Sequence, residues 1–262
     1  MNLPILLNNK ESPASIGVTH PFIHNLVYEL WGGDAPVVSL LHPGEDPQKR
    51  PVNLLTDPRL KHAKLIISTG TLLDGPSSPA LPPASTESTH YLRLNAPTPH
   101  SWLLESVWLD WVTTISHVLQ KEFPEKAPQI RQRTQTYRDQ CHRQFNRIRE
   151  AIASHATSPI ATNHPAFQTF AEQFGILAYA IEPNQSNITV TFEMLQRHNV
   201  HRIVPIFQIP QQDIQAIASH ALIAGYVIEV TPPVLVLNFD QTPSGIRTYV
   251  DMIAHAGKQI TH

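Results

Sequence analysis

Residues 127–154, with the sequence APQIRQRTQTYRDQCHRQFNRIREAIAS, predict one long helix around which the fold is arranged. Pro128 suits a first helical turn, where no N–H partner is lost, and no further proline or glycine occurs before Pro159. A helix of this length spans about 40 Å, enough to connect two lobes. Its apolar side chains recur at the period of a single helical face and are Ile130, Tyr137, Cys141, Phe145, Ile148 and Ile152.

Predicted strands and helices alternate on both sides of this helix, which is typical of parallel sheets covered by helices. Upstream, we predict strands at 15–18, 37–41, 65–68 and 91–94, and helices at 21–31 and 102–120. Downstream, we predict strands at 159–162, 176–181, 203–206 and 226–230, and helices at 164–174, 191–198, 211–224 and about 245–260. The prediction is an α/β fold with two lobes of mostly parallel sheets flanked by helices, comprising an N-terminal lobe (1–126), a linking helix (127–154) and a C-terminal lobe (155–262).

Composition excludes several classes of protein. A net charge of −2 gives no general attraction to nucleic acid or to anionic membranes, and the single Cys141 excludes an intrachain disulfide. No run of about 18 apolar residues is present, so we expect no membrane span. Met1–Asn9 lacks the charged start and apolar core of a signal peptide, so we expect either a cytoplasmic protein or one whose signal has been removed.

Histidines follow the predicted strands at the positions where open α/β sheets bind ligands, beyond the carboxyl ends of the strands. These histidines are His20, His42, His100 and His164. Histidines from separate loops that converge on one cleft form sites for zinc and similar ions. The alternative for each of them is a hydrogen-bonded loop or helix-capping residue.

Motifs of common enzyme classes are missing from the sequence. It contains no Gly-x-Ser-x-Gly, no glycine-rich phosphate loop, no cysteine pair and no His-Glu-x-x-His. We therefore predict binding without turnover, and no enzyme.

Five stretches match motifs of one known family in the right order along the chain. They are VSLLHPGEDPQ (38–48), LKHAKLIISTGTLLD (60–74), TPHSWL (98–103), NHPAF (163–167) and YVDMI (249–253). The chain thereby resembles the metal-binding type of ABC-transporter solute-binding proteins, which capture zinc or manganese. This resemblance implies a helical-backbone metal receptor, with one rigid helix, little hinge motion and a divalent transition metal, zinc before manganese, held between two lobes. It further implies a periplasmic or extracytoplasmic monomer that docks on a membrane permease and binds no nucleic acid.

The resemblance also implies the metal ligands. His100 and His164 match two ligand histidines of the family, and Gln48 stands where a third is expected. An amide oxygen is a poorer zinc ligand than imidazole, so Gln48 predicts weaker binding or a different metal. His20 is a fourth candidate ligand, with His42 as an alternative by position.

The sequence departs from the family pattern at two further positions. Leu104 replaces an aspartate after the tryptophan, and Thr231 stands where an acidic ligand is expected, with Asp240 downstream and out of register. These departures favour an alternative function, in which the same fold has a lost or altered metal site and binds another small ligand or acts in adhesion. A third hypothesis, a two-domain α/β enzyme such as a transferase, would have only Glu45, Asp46 and the histidines as acid–base groups in the cleft.

Overall fold

A computed structural model describes residues 15–41, 57–70, 89–153, 158–182, 186–206, 212–234 and 246–261 of the chain. The N-terminal lobe contains a sheet of four parallel strands in the order β2–β1–β3–β4. Its strands are β1 (Ile16–Val18), β2 (Val37–Ser39), β3 (Leu65–Ser68) and β4 (His90–Arg93). Helix α1 (Pro21–Trp31) packs on β1 and β2, and α2 (Glu105–Glu122) packs on α1.

The C-terminal lobe repeats this architecture with a parallel sheet in the order β6–β5–β7–β8. Its strands are β5 (Ile160–Thr162), β6 (Ala178–Ala180), β7 (Arg202–Val204) and β8 (Glu229–Val230). Its helices are α4 (Pro165–Glu172), α5 (Ile188–Arg197), α6 (Gln212–Ile223) and α7 (Tyr249–Thr261). Short 3₁₀ turns occur at Pro58–Leu60, Ser101–Leu103 and Pro124–Lys126.

The long helix between the two sheets is α3 (Ala127–Ala153). The predicted apolar face is confirmed, because five of its members are buried and Ile152 is half-buried against the same core; the five are Ile130, Tyr137, Cys141, Phe145 and Ile148. Helices α1, α2 and α7 all pack against α3. The α/β fold with two parallel sheets and one linking helix is therefore confirmed.

One hydrophobic core extends from the first lobe to the second. It includes Ile16 of β1, Phe145 of α3 and Ile160 of β5. Tyr249 of the C-terminal helix α7 stacks on Trp108 of α2 with ring centroids 3.8 Å apart. The two lobes thus share buried aromatic packing around α3, and the exact domain boundaries at 126/127 and 154/155 stay a prediction.

The main departure from the predicted elements is at Leu104. The single helix predicted over 102–120 is split into the 3₁₀ turn Ser101–Leu103 and helix α2, because Leu104 adopts an extended conformation with φ −78° and ψ 130°. In the last predicted strand, over 226–230, the pairing begins only at Glu229, because Tyr226 still donates its N–H to Ala221 at the end of α6. Within the described part of the chain, no helix is both long enough and apolar enough to cross a bilayer.

Candidate metal centre

His164 lies between β5 and α4, at the carboxyl edge of the second sheet. It is the N-cap residue of α4, with φ −157° and ψ 136°, and Pro165 occupies the first helical turn. This extended conformation is the one that a following proline favours. The ring Nδ1 accepts a hydrogen bond from the Ala166 N–H at 3.1 Å, so the ring itself caps the helix.

His100 lies at the start of the 3₁₀ turn Ser101–Leu103, in the connection from β4 to α2. Ser101 holds this turn closed, since its Oγ donates to the Thr98 carbonyl at 2.8 Å. Trp102 and Leu103 follow directly and are both buried. The position of His100 is therefore set by an anchored turn.

The two rings lie beside each other, with centroids 5.2 Å apart and planes inclined at 68°. Two imidazoles bound to one tetrahedral zinc ion, with Zn–N distances of about 2.05 Å, place their centroids about 5.2 Å apart. One ring comes from each lobe. The separation of His100 and His164 thus matches what a single shared ion requires.

Burial keeps both rings in the neutral form that binds metal. Desolvation, followed by the effect of charge on His164, lowers the pKa of His100 to about 4. Desolvation also lowers the pKa of His164. A neutral imidazole has one nitrogen lone pair and need not lose a proton to solvent before it binds a metal at pH 7; at His164 this lone pair is the one that accepts the Ala166 N–H.

Two side chains of the C-terminal lobe hold the turn that follows His100. Tyr249 Oη donates to the Trp102 carbonyl at 3.1 Å, and Gln173 Nε2 donates to the Leu103 carbonyl at 3.0 Å. Sequence reasoning missed both residues, because their partners are 147 and 70 positions away in the chain and no motif links them.

His20 lies next to this region within an aromatic stack. Its ring stacks on Phe22 at 4.6 Å, and Phe22 stacks on Trp102 at 4.7 Å. Among the described residues, no three His, Cys, Asp or Glu side chains lie close enough together to hold a metal ion. The structure therefore brings His100 and His164 together without joining His20 to them, and a ligand role for His20 stays a prediction.

Three further candidates, Gln48, His42 and Asp240, lie outside the described residues. The role of Gln48 accordingly stays a prediction as well.

Thr231 follows β8 and is buried, and its Oγ1 donates to the Pro232 carbonyl at 3.2 Å. Leu104 contributes no side-chain cap to α2; the Glu105 N–H is instead accepted by Gln173 Oε1 at 3.1 Å.

Comparison with known proteins places this chain in a family. The family model described as zinc-uptake complex component A, periplasmic, matches residues 16–262. Periplasmic zinc-binding protein TroA from Treponema pallidum superposes with a TM-score of 0.77 at 20% identity, covering 95% of this chain and 98% of that one.

Two other solved structures share the fold at low identity. The Mn-bound periplasmic metal-binding protein from Candidatus Liberibacter asiaticus has a TM-score of 0.74 at 14% identity, covering 95% of this chain and 98% of that one. The laminin-binding protein Lmb of Streptococcus agalactiae, described as both an adhesin and a metal transporter, has a TM-score of 0.76 at 16% identity, covering 94% and 99%. On the strength of the family match over residues 16–262, the chain belongs to the periplasmic A components of zinc-uptake complexes, which are metal-binding solute-binding proteins of ABC transporters.

Proposed function

We propose that this chain captures one divalent transition metal ion between its lobes, zinc in preference to manganese, and delivers it to a membrane permease. The observation that carries the proposal is the pair of neutral rings, His100 and His164, with centroids 5.2 Å apart. Since each lobe supplies one imidazole, a bound ion links the lobes directly. The family's description as a periplasmic component of a zinc-uptake complex supports the permease as partner.

The remaining ligands in this proposal are Gln48 and His20. Imidazole suits zinc, whereas oxygen ligands suit manganese, so two histidines favour zinc and the Gln48 amide oxygen reduces that preference. All four proposed donors are uncharged in the binding form. We therefore expect weaker binding than at a site of the same geometry that includes a carboxylate.

We further propose that the protein acts as a monomer on the periplasmic side and binds its metal without turnover. Zinc bound by neutral side chains keeps its full charge. A permease that offers anionic ligands would then compete for the ion effectively. Release to the partner needs no covalent step.

The test is calorimetric titration of chelator-treated protein with Zn²⁺ and with Mn²⁺. We expect one ion per chain, with zinc bound more tightly. The substitutions His100→Ala and His164→Ala should each weaken zinc binding by more than about 100-fold, beyond the loss typical of residues that only support a ligand. His117→Ala is the matched control, because His117 is exposed on α2 and should leave binding unchanged.

Two further variants test the proposed third and fourth ligands. Gln48→His should tighten zinc binding, and His20→Ala should weaken it. If the unmodified protein binds neither metal, the proposal fails and the altered-site alternative takes its place. Unchanged affinity in both His100→Ala and His164→Ala would also contradict it.

A further inference from the structure

Two successive backbone carbonyls of the 3₁₀ turn Ser101–Leu103 accept hydrogen bonds from side chains of the C-terminal lobe. The Trp102 carbonyl accepts from Tyr249 Oη and the Leu103 carbonyl from Gln173 Nε2, at 3.1 and 3.0 Å. His100 immediately precedes this turn. Its backbone position is thus determined partly by residues of the C-terminal lobe.

Tyr249 provides the deeper of the two attachments. It is fully buried at the start of α7, and its ring stacks on Trp108 at 3.8 Å. The ring therefore has little freedom, and its hydroxyl is aimed at a fixed point. Such a donor sets where the Trp102 carbonyl lies.

Gln173 links the two histidines through one short helix. His164 is the N-cap residue of α4 and Gln173 is its C-cap residue, and the eight residues of the helix lie between them. The Gln173 amide donates to Leu103 and to Phe170, and its oxygen accepts the Glu105 N–H. The helix that carries one proposed ligand thus binds, at its other end, the turn and the helix that follow the second ligand.

We infer that Tyr249 and Gln173 are positioning residues that fix the His100 ring at the distance from His164 that one ion requires. The inference rests on the proposed function. Gln173 also satisfies the Glu105 N–H at the start of α2, where Leu104 supplies no cap. One residue thereby stabilises both the end of the turn and the helix beyond it.

The test compares conservative variants with matched controls in the full chain. Tyr249→Phe removes only the hydroxyl, and Gln173→Met removes the amide while keeping the length of the side chain. The control for the first is Tyr179→Phe, which deletes a hydroxyl bonded to His198 in the same lobe. The control for the second is Gln168→Met, because the Gln168 amide donates to Glu172 within the same helix α4.

The first readout is the nuclear Overhauser effect between the His100 and His164 ring protons in metal-free protein. We expect it to weaken in Tyr249→Phe and Gln173→Met and to persist in both controls. The second readout is zinc affinity, which should fall about 10-fold in each positioning variant, as for residues that orient metal ligands. Circular dichroism verifies that each variant is folded. If Tyr249→Phe does not fold, both readouts are measured on Gln173→Met, since Gln173 is only half-buried.

A merely structural role predicts a different pattern. In that case the melting temperature falls while the ring contact and the zinc affinity of the folded protein stay unchanged, and the inference is wrong. If the unmodified protein binds no zinc, the proposed function fails, yet the ring contact in metal-free protein still tests the positioning role. The two failures are therefore distinguishable.

Discussion

At His164, the Nδ1 lone pair is already engaged, because it accepts the Ala166 N–H at 3.1 Å. Metal binding through Nδ1 would use that lone pair. Binding through Nε2 would place the ring proton on Nδ1. Two N–H donors, Nδ1–H and the Ala166 N–H, would then face each other and could not form a hydrogen bond. Whichever nitrogen binds, the cap on α4 must open.

This conflict gives a prediction for a single amide. On addition of zinc, the Ala166 amide should lose its hydrogen bond, and its proton signal should shift upfield and exchange faster with solvent. Losing such a cap costs about 1 kcal/mol, which lowers the zinc affinity accordingly. Two-dimensional amide NMR with and without zinc measures the shift, with the Thr169 amide, later in α4, as internal control. An unchanged Ala166 signal at saturating zinc would contradict a ligand role for His164.

The buried histidines also predict how stability depends on pH in metal-free protein. The pKa of His100 is about 4 in the folded chain and about 6.5 when unfolded, so the unfolded chain binds more protons between these values. Stability should therefore fall as the pH is lowered from about 6.5 toward 4. Urea unfolding at several pH values measures this slope, and His100→Gln should make it shallower.

The comparison with His117→Gln isolates the effect of His100 from that of the other histidines and the carboxylates. A slope that is equal in His100→Gln and in the unmodified chain would show that His100 is not held neutral by the fold.

The position of histidines after strands is a local feature and gave four candidates, and the resemblance to the family then singled out His100 and His164, whose rings the structure brings side by side. Gln173 and Tyr249 could not be predicted in this way. Their roles depend on hydrogen bonds to the backbone of Trp102 and Leu103, which the sequence of neither partner specifies. Sequence patterns thus identify groups that face a ligand more readily than groups that hold a backbone in place.

Among the elements, the packing of α7 on α3 depends on a glycine. A Cβ at Gly257 would lie 2.5 Å from Cγ1 and 2.6 Å from Cδ1 of Ile148, which is buried on α3. Alanine is favoured over glycine inside a helix by about 1 kcal/mol, but overpacking costs about 1–3 kcal/mol. The steric effect should therefore prevail.

We expect Gly257→Ala to destabilise the protein by up to about 2 kcal/mol. Ile148→Ala alone should cost about 2–5 kcal/mol through the cavity it leaves. The double variant should be destabilised by less than the sum of the two single variants, because the new methyl group occupies space that the isoleucine vacated. Chemical unfolding of the four proteins completes the cycle, and strict additivity would refute the close approach of α7 and α3.

Prediction of the elements succeeded where periodicity is strong and unopposed. The β3 strand agrees with the sequence pattern to the residue because its apolar residues form one uninterrupted run, and the start of α3 agrees because Pro128 marks a first helical turn. The break at Leu104 was missed, because Trp102 and Leu103 continue the apolar pattern into α2 without a glycine or proline. Tyr249 and Gln173 bind the carbonyls of Trp102 and Leu103 just before the break, and a local sequence pattern does not show such tertiary contacts.

For the molecule as a whole, the continuous core around α3 couples the two lobes. Residues of both sheets and of α7 belong to one buried cluster, so separating the lobes would expose part of this core to water. We therefore expect thermal unfolding in one cooperative transition. An ion held by both lobes should raise the temperature of that transition.

Zinc at 100 times its dissociation constant should stabilise the fold by about 2.7 kcal/mol, or about 5 °C in Tm. Scanning calorimetry of chelator-treated protein with and without zinc measures both the shift and the number of transitions. The double variant His100→Ala/His164→Ala should show no shift, whereas His117→Ala should behave like the unmodified protein. Two separate transitions would contradict a shared core.

The central claim is that His100 and His164 hold the same ion, and side-chain ¹⁵N NMR of the histidine rings during a zinc titration tests it most directly. The account predicts that one nitrogen of each ring moves to the shift of a metal-bound imidazole, in parallel, and that both changes are complete at one equivalent of zinc. If either ring stays unchanged, or the two rings respond at different equivalents, the ions are held elsewhere and the claim is wrong.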